Sequence, residues 1–96
     1  MSETIDKAVA ALNEKLGGEG IDGTAKFVIE GEGAVFVDSA GARAADEDAD
    51  VTLTASRETF EGIVSGEVNA TSAFMSGDLA VDGDMGKAMQ LGAALA

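Results

Sequence analysis

The sequence predicts an α+β domain in which helices cover one face of a five-stranded, mostly antiparallel sheet. Three observations indicate this fold: an apolar stripe at helical spacing near the start, alternating apolar and polar residues through the middle, and short helical patterns around one more strand in the final third. The 96 residues are enough for one hydrophobic core, and no linker or internal repeat divides them. We therefore predict a single domain over residues 1–96.

The first element is a predicted amphipathic helix. Ile5, Val9, Leu12 and Leu16 recur at the spacing of one helix face. Gly17 follows, where a left-handed C-terminal residue is favoured. A helix packed on a sheet explains this stripe. The alternative is a helix lying on a membrane surface, but such helices carry many Lys and Arg residues on the polar face, and this segment has only two lysines.

Four predicted strands occupy the middle of the chain. Thr24–Glu30, Ala34–Asp38 and Ala42–Ala45 are separated by short turns that contain glycine, which is typical of an antiparallel meander. Asp50–Ala55 alternates once more and forms the fourth strand. Alternation of this kind indicates one buried and one wetter face of the sheet.

Three helices and a fifth strand are predicted in the final third. The predicted capping residues are Ser56 and Asn69 at helix N-termini and Gly66 and Gly77 at helix C-termini. Leu79 and Val81 share one face of the last strand. Asp84 then caps a final helix, which carries apolar residues along one side.

The charge and composition exclude several classes of function. A net charge of −12 favours solubility and repels nucleic acids and anionic membrane surfaces, so we expect no nucleic-acid partner and no stable membrane insertion. The chain has no Cys and no His, which removes thiol catalysis, thiolate metal sites and the commonest general base. We therefore expect a protein that is not an enzyme, with no catalytic residues, no metal and no cofactor. The absence of a signal-like apolar segment favours a cytoplasmic location.

Two patterns that match ligand-binding motifs are better explained as loops. The glycines of Gly18–Gly23 have the GxGxxG spacing, but they follow a helix and precede a strand, the reverse of the dinucleotide-binding context. Asp46, Asp48 and Asp50 have the spacing of the first ligands in a calcium loop. The loop glycine and the closing glutamate that such a site needs are both absent, which favours a solvated acidic loop.

The chain resembles the sterol carrier protein type-two domain, a family of non-catalytic lipid binders. The resemblance covers most of the chain, roughly Ile5–Leu91, and is densest over Ala49–Leu91. The strand Asp50–Thr54 and the helix around Phe60–Val64 fit the order of elements in that family. The residues that carry the resemblance are Gly66, Asn69, Ala73, Phe74, Met75, Gly77, Leu79, Gly83, Asp84, Met85 and Leu91.

This resemblance implies an apolar tunnel between the sheet and the helices that holds a fatty acid, an acyl-CoA, a sterol-like molecule or another lipid. The candidate lipid-binding residues are Phe60, Ile63, Val64, Phe74, Met75, Leu79, Val81, Met85 and Met89. The methionines among them fit two interpretations, as filler of the core or as an adaptable cavity lining. A protein-interaction module, or an accessory subunit that presents an apolar groove to a partner enzyme, is the alternative function.

Overall fold

The computed structural model describes residues 3–17 and 20–95, with side chains described as far as Gly92. Gly18 and Glu19, which begin the GxGxxG pattern, lie outside the described residues. The elements in chain order are α1 (Glu3–Lys15), β1 (Ala25–Ile29), β2 (Gly33–Asp38), β3 (Gly41–Ala44), β4 (Val51–Ala55), α2 (Arg57–Ser65), α3 (Ala70–Ser76), β5 (Leu79–Gly83) and α4 (Met85–Leu95). Each predicted element is present, with ends that differ by one or two residues.

The sheet has the strand order β3-β2-β1-β4-β5. Three neighbouring pairs are antiparallel, and the central pair of β1 and β4 is parallel. The predicted α+β class with a mostly antiparallel sheet is therefore confirmed. The parallel pair arises because the chain completes the meander β1-β2-β3 on one side and then crosses back to add β4 on the other side of β1.

The inner face of the sheet forms the core. β1 and β4 both alternate between buried and half-buried residues, as their sequences predict. Phe27 lies at the centre of this face, 2% exposed, and its ring meets the Phe60 ring of α2 edge-on at 5.3 Å. From α1, Ile5, Ala8 and Leu12 are buried against the same core, while Val9 and Leu16 pack at its margin.

Local capping fixes the two short helices of the second half. Ser56 accepts a hydrogen bond from the Thr59 backbone N–H, and Asn69 accepts one from the Ser72 N–H, both at 3.1 Å. α2 and α3 end at glycines 66 and 77 in the left-handed conformation. These four predicted caps are confirmed.

The acidic loop between β3 and β4 is held by cations and polar groups of the sheet. Asp46 pairs with Lys26 at 2.9 Å, and Glu47 pairs with Arg43 at 3.2 Å. The Arg43 guanidinium also lies over the Phe36 ring, 4.7 Å from its centroid. These ion pairs thus hold the loop that connects β3 to β4 against the outer face of the sheet.

Candidate functional site

An apolar cleft lies where α3 and α4 flank the edge strand β5. The chain reverses sharply at each end of this strand. After α3, the Asp78 N–H donates to the Ala73 carbonyl at 2.9 Å, which turns the chain into β5. After β5, the Asp84 carboxylate accepts from the Lys87 N–H at 3.2 Å and starts α4. The two helices therefore stand on the same side of the strand with a gap between them.

Three elements and one neighbouring strand supply the lining of the cleft. The floor consists of Leu53 of β4 with Leu79 and Val81 of β5; the wall from α3 consists of Ala70, Thr71 and Phe74; and the wall from α4 consists of Met85, Ala88, Met89 and Gly92. The cleft encloses about 360 Å³, which includes space open to solvent. Thr71 supplies the single polar side chain of this lining.

The rim of the cleft exposes large apolar side chains. Phe74 is 40% exposed, Met85 is 43% exposed and Met89 is 60% exposed. At the base of the walls, a Cβ on Gly92 would lie 3.6 Å from the Ala70 Cβ, so α3 and α4 come within side-chain contact there. Large apolar groups clustered at a surface gap are typical of a binding site, whereas scattered ones are ordinary.

The structure brings five of the nine candidate lipid-binding residues together in this cleft. They are Phe74, Leu79, Val81, Met85 and Met89.

The other four candidates lie elsewhere. Phe60 and Val64 face a second hollow between α1 and α2, which Lys7 and Glu61 also line. Ile63 is 3% exposed and belongs to the core.

Met75 is 80% exposed and lies outside the cleft lining. Its role in lipid binding stays a prediction, as does that of the eight other candidates.

Five lining residues were missed by reasoning from the sequence, and each had a signal. Leu53 pairs with Val81 in the register of β4 and β5, so the two share a face. The remaining four are Ala70, Thr71, Ala88 and Gly92, which lie three or four residues from Phe74, Met85 or Met89 on the same helices. Small residues are easy to overlook because they shape a site by leaving room in it.

The cleft has no titratable side chain. Its ten lining residues are apolar except for the Thr71 hydroxyl. A perturbed acid lies on the outer face of the sheet instead, where a hydrogen bond from Arg43 lowers the pKa of Asp38, with help from the Ala40 N–H. The lining can therefore bury an apolar molecule and offer it one hydrogen bond, but it contains no acid, base or strong nucleophile.

The described residues form neither a carboxylate metal site nor a membrane-spanning helix. No group of three or more carboxylates in residues 3–17 and 20–95 could hold a metal ion. None of the helices in that part of the chain is long and apolar enough to cross a membrane.

Comparison with known proteins places this architecture. The model of the SCP-2 sterol transfer family matches residues 4–96. The fold is similar to the solution structure of sterol carrier protein 2 from Aedes aegypti in complex with the C16 fatty acid palmitate, with a TM-score of 0.77 and 22% identity over 100% of this chain and 97% of that one. It is also similar to sterol carrier protein domain 2 of Helicoverpa armigera, with a TM-score of 0.73 and 23% identity over 96% and 85% of the two chains.

A curated relative is much longer. Peroxisomal multifunctional enzyme A of Dictyostelium discoideum is 51% identical over 43 residues, which make up 45% of this chain. The match spans only 10% of that enzyme. Because the family model covers nearly the whole chain, this protein belongs to the SCP-2 sterol transfer family.

Proposed function

We propose that this domain binds a single lipid in the cleft between α3, β5 and α4 and carries it without chemical change. The observation that carries the proposal is the exposed apolar rim of Phe74, Met85 and Met89 around an apolar floor. Exposing such an apolar rim to water is unfavourable, and covering it with an apolar molecule lowers the free energy. The rim also stands out on a chain whose net charge is −12. Family membership and the palmitate bound by the Aedes aegypti relative support a lipid as that cover.

The energetics of burial suit this role. An acyl chain that loses roughly 300 Å² of apolar surface to the cleft gains about 7 kcal/mol before the costs of association. The methionines on α4 are unbranched and polarizable, so they can adapt to lipids of different shape. Carriage then needs no bond to be made or broken.

Mass spectrometry of the natively purified protein tests the proposal. Solvent extracts should contain one lipid species or class at close to one molecule per protein. The control is the same protein unfolded in urea, washed free of lipid and refolded, whose extract should be empty. A natively purified protein that is consistently empty and does not bind an added lipid would contradict lipid carriage.

A role as an accessory domain that hands lipid to an enzyme is the second candidate. The observation that favours it is the match to a short part of the multifunctional enzyme of Dictyostelium discoideum. In this role the open rim would face the enzyme during transfer. Co-purification of a stable enzyme partner, lost when Met89 is replaced by glutamate, would favour this role over free carriage.

A further inference from the structure

The two helical walls of the cleft stand apart although both are apolar. Phe74 on α3 and Met85 and Met89 on α4 line the gap, and all three side chains are partly exposed. Apolar surfaces that face each other in water lose exposed area by moving together, which is favourable. An open gap between these walls therefore depends on restraints that hold the helices apart.

The walls already meet at one end of the cleft. A Cβ on Gly92 would lie 3.6 Å from the Ala70 Cβ. Gly92 lies seven residues after Met85 on α4, which is about two helical turns. Because the contact at Gly92 limits movement at that end, the position of the first turn of α4 sets the width of the cleft at Met85.

The first turn of α4 is bound on the side that faces away from α3. Lys87 is two residues from both Met85 and Met89, about 160° round the helix from each. Its Nζ atom donates to the Asp22 carbonyl at 2.9 Å, in the loop that precedes β1. In the sheet, β1 lies on the other side of β4 from β5, and α3 packs on β5. The Lys87 bond therefore draws α4 away from α3.

The loop that accepts this bond is itself fixed to the sheet and to the start of α4. The Thr24 N–H donates to Asp50 Oδ2 at 3.1 Å, and the Asp50 N–H donates to Thr24 Oγ1 at 2.9 Å. The Asp50 carbonyl accepts from the Asp84 N–H at 2.9 Å. These hydrogen bonds join the loop before β1, the start of β4 and the start of α4, so Lys87 is bound to a fixed point.

Gly23 leaves the space that the Lys87 side chain occupies. Its φ is +100°, and an added Cβ would lie 2.5 Å from Lys87 Nζ and 2.6 Å from Lys87 Cε. Any side chain at position 23 would therefore displace the ammonium group from the Asp22 carbonyl.

From these contacts we infer that Lys87 is a positioning residue for the cleft: its bond to the loop before β1 holds α4 away from α3 and keeps the cleft open to an entering lipid. The inference rests on the proposed function and assigns to it a residue outside the lining. Without the bond, α4 moves towards α3 and the rims of the two walls cover each other. Only the fraction of molecules that is still open then admits a lipid.

NMR of the lipid-free protein measures the position of α4 directly. Lys87→Leu removes the ammonium group and keeps a good helix former. Lys15→Leu, at the exposed end of α1, removes the same charge away from the cleft and is the matched control. In Lys87→Leu, nuclear Overhauser effects between the Met85 methyl group and the Phe74 ring should strengthen at least roughly twofold, because the closed population rises. In Lys15→Leu they should match those of the natural protein.

Stopped-flow binding of the uncharged fluorescent dye Nile red separates positioning of α4 from contact with the ligand. The association rate constant of Lys87→Leu should fall at least roughly threefold, because fewer molecules are open. The dissociation rate constant should stay within roughly twofold of the natural value, because the lining is unchanged. Gly23→Ala displaces the same ammonium group, so it should slow association as well and add nothing in the Lys87→Leu background. Urea unfolding establishes that each variant is folded.

The outcomes separate this inference from the proposed function. Unchanged Overhauser effects and an unchanged association rate in folded Lys87→Leu would overturn the inference and leave lipid carriage standing. Equal changes in Lys15→Leu would also overturn it, because the lost charge would then be the cause. Faster dissociation with unchanged association would do the same, because Lys87 would then act on the bound lipid. Failure of Nile red and dodecanol, a long-chain alcohol, to bind the natural protein would overturn the proposed function itself.

Discussion

Replacing Met89 by glutamate should weaken lipid binding without unfolding the protein. Met89 is 60% exposed at the rim of the cleft, so its side chain meets water on one side and the cleft on the other. Full burial of a methionine side chain is worth about 1.5–3 kcal/mol, and covering the exposed part with a lipid contributes roughly 1–2 kcal/mol of that. Losing this contact corresponds to an affinity about 5- to 30-fold lower.

Met75→Glu is the matched control for this substitution. Met75 lies on α3, is 80% exposed and does not line the cleft. The control makes the same chemical change and adds the same charge. We expect it to alter affinity by less than roughly twofold. Both positions are exposed, so the free energy of unfolding should change by no more than about 0.5 kcal/mol in either variant.

Displacement of Nile red by dodecanol gives both affinities, and urea titration gives both stabilities. Equal losses of affinity in the two variants would mean that added negative charge, rather than contact at Met89, governs binding. An unchanged affinity in folded Met89→Glu would remove this residue from the site. A larger loss in Met75→Glu would place the lipid on the outer side of α3.

Three further predictions concern the frame of the site. Gly77 and Gly83 both have positive φ, but an added Cβ has free space at Gly77, whereas at Gly83 it would lie 2.4 Å from the Asp50 carbonyl oxygen. Urea unfolding should therefore show that Gly77→Ala lowers the free energy of unfolding by about 1 kcal/mol and Gly83→Ala by about 2–4 kcal/mol. Equal losses would contradict the close approach of β4 and β5. Because α4 is 11 residues long and contains two glycines, its amide hydrogens should exchange faster than those of α1, and their exchange should slow down when dodecanol binds. Exchange in α4 that dodecanol does not change would mean that the helix belongs to the core and not to the binding site. The pKa of Asp38 lies below its ordinary value of 3.8, so its ionised carboxylate stabilises the folded protein at pH values above the pKa of Asp38 in the unfolded chain. That stabilisation is lost as the pH falls through the folded-state pKa. The urea midpoints of the natural protein and Asp38→Asn should therefore differ at neutral pH and converge in acid, and a difference that persists in acid would have another origin.

The parts of the fold that local chemistry determines could be predicted from the sequence. Ser56 and Asn69 cap helices because their side chains replace missing backbone partners, and this depends only on residues nearby in the chain. The alternation in β1 and β4 likewise follows from the two faces of a strand. The parallel pairing of these two strands depends on how distant segments pack, and no residue in either strand specifies it.

The candidate site was predicted in outline only, because the sequence does not show which way neighbouring apolar residues point. Phe74 and Met75 are adjacent on α3, and a rotation of about 100° puts the first into the cleft and leaves the second in solvent. Phe60 was grouped with the site, but its ring packs on Phe27 in the core. Leu53 lines the cleft because it lies opposite Val81 in the neighbouring strand, and only the register of the two strands reveals this pairing.

The most direct measurement is NMR of the protein labelled with ¹³C at its methionine methyl groups. The chain has only four methionines, so the spectrum is simple, and single Met→Leu variants assign its signals. With dodecanol bound, the methyl groups of Met85 and Met89 should show nuclear Overhauser effects to the lipid chain, and that of Met75 should show none. Lipid contacts at Met75, or contacts that miss both Met85 and Met89 while the lipid is bound, would contradict the cleft between α3, β5 and α4 as the binding site.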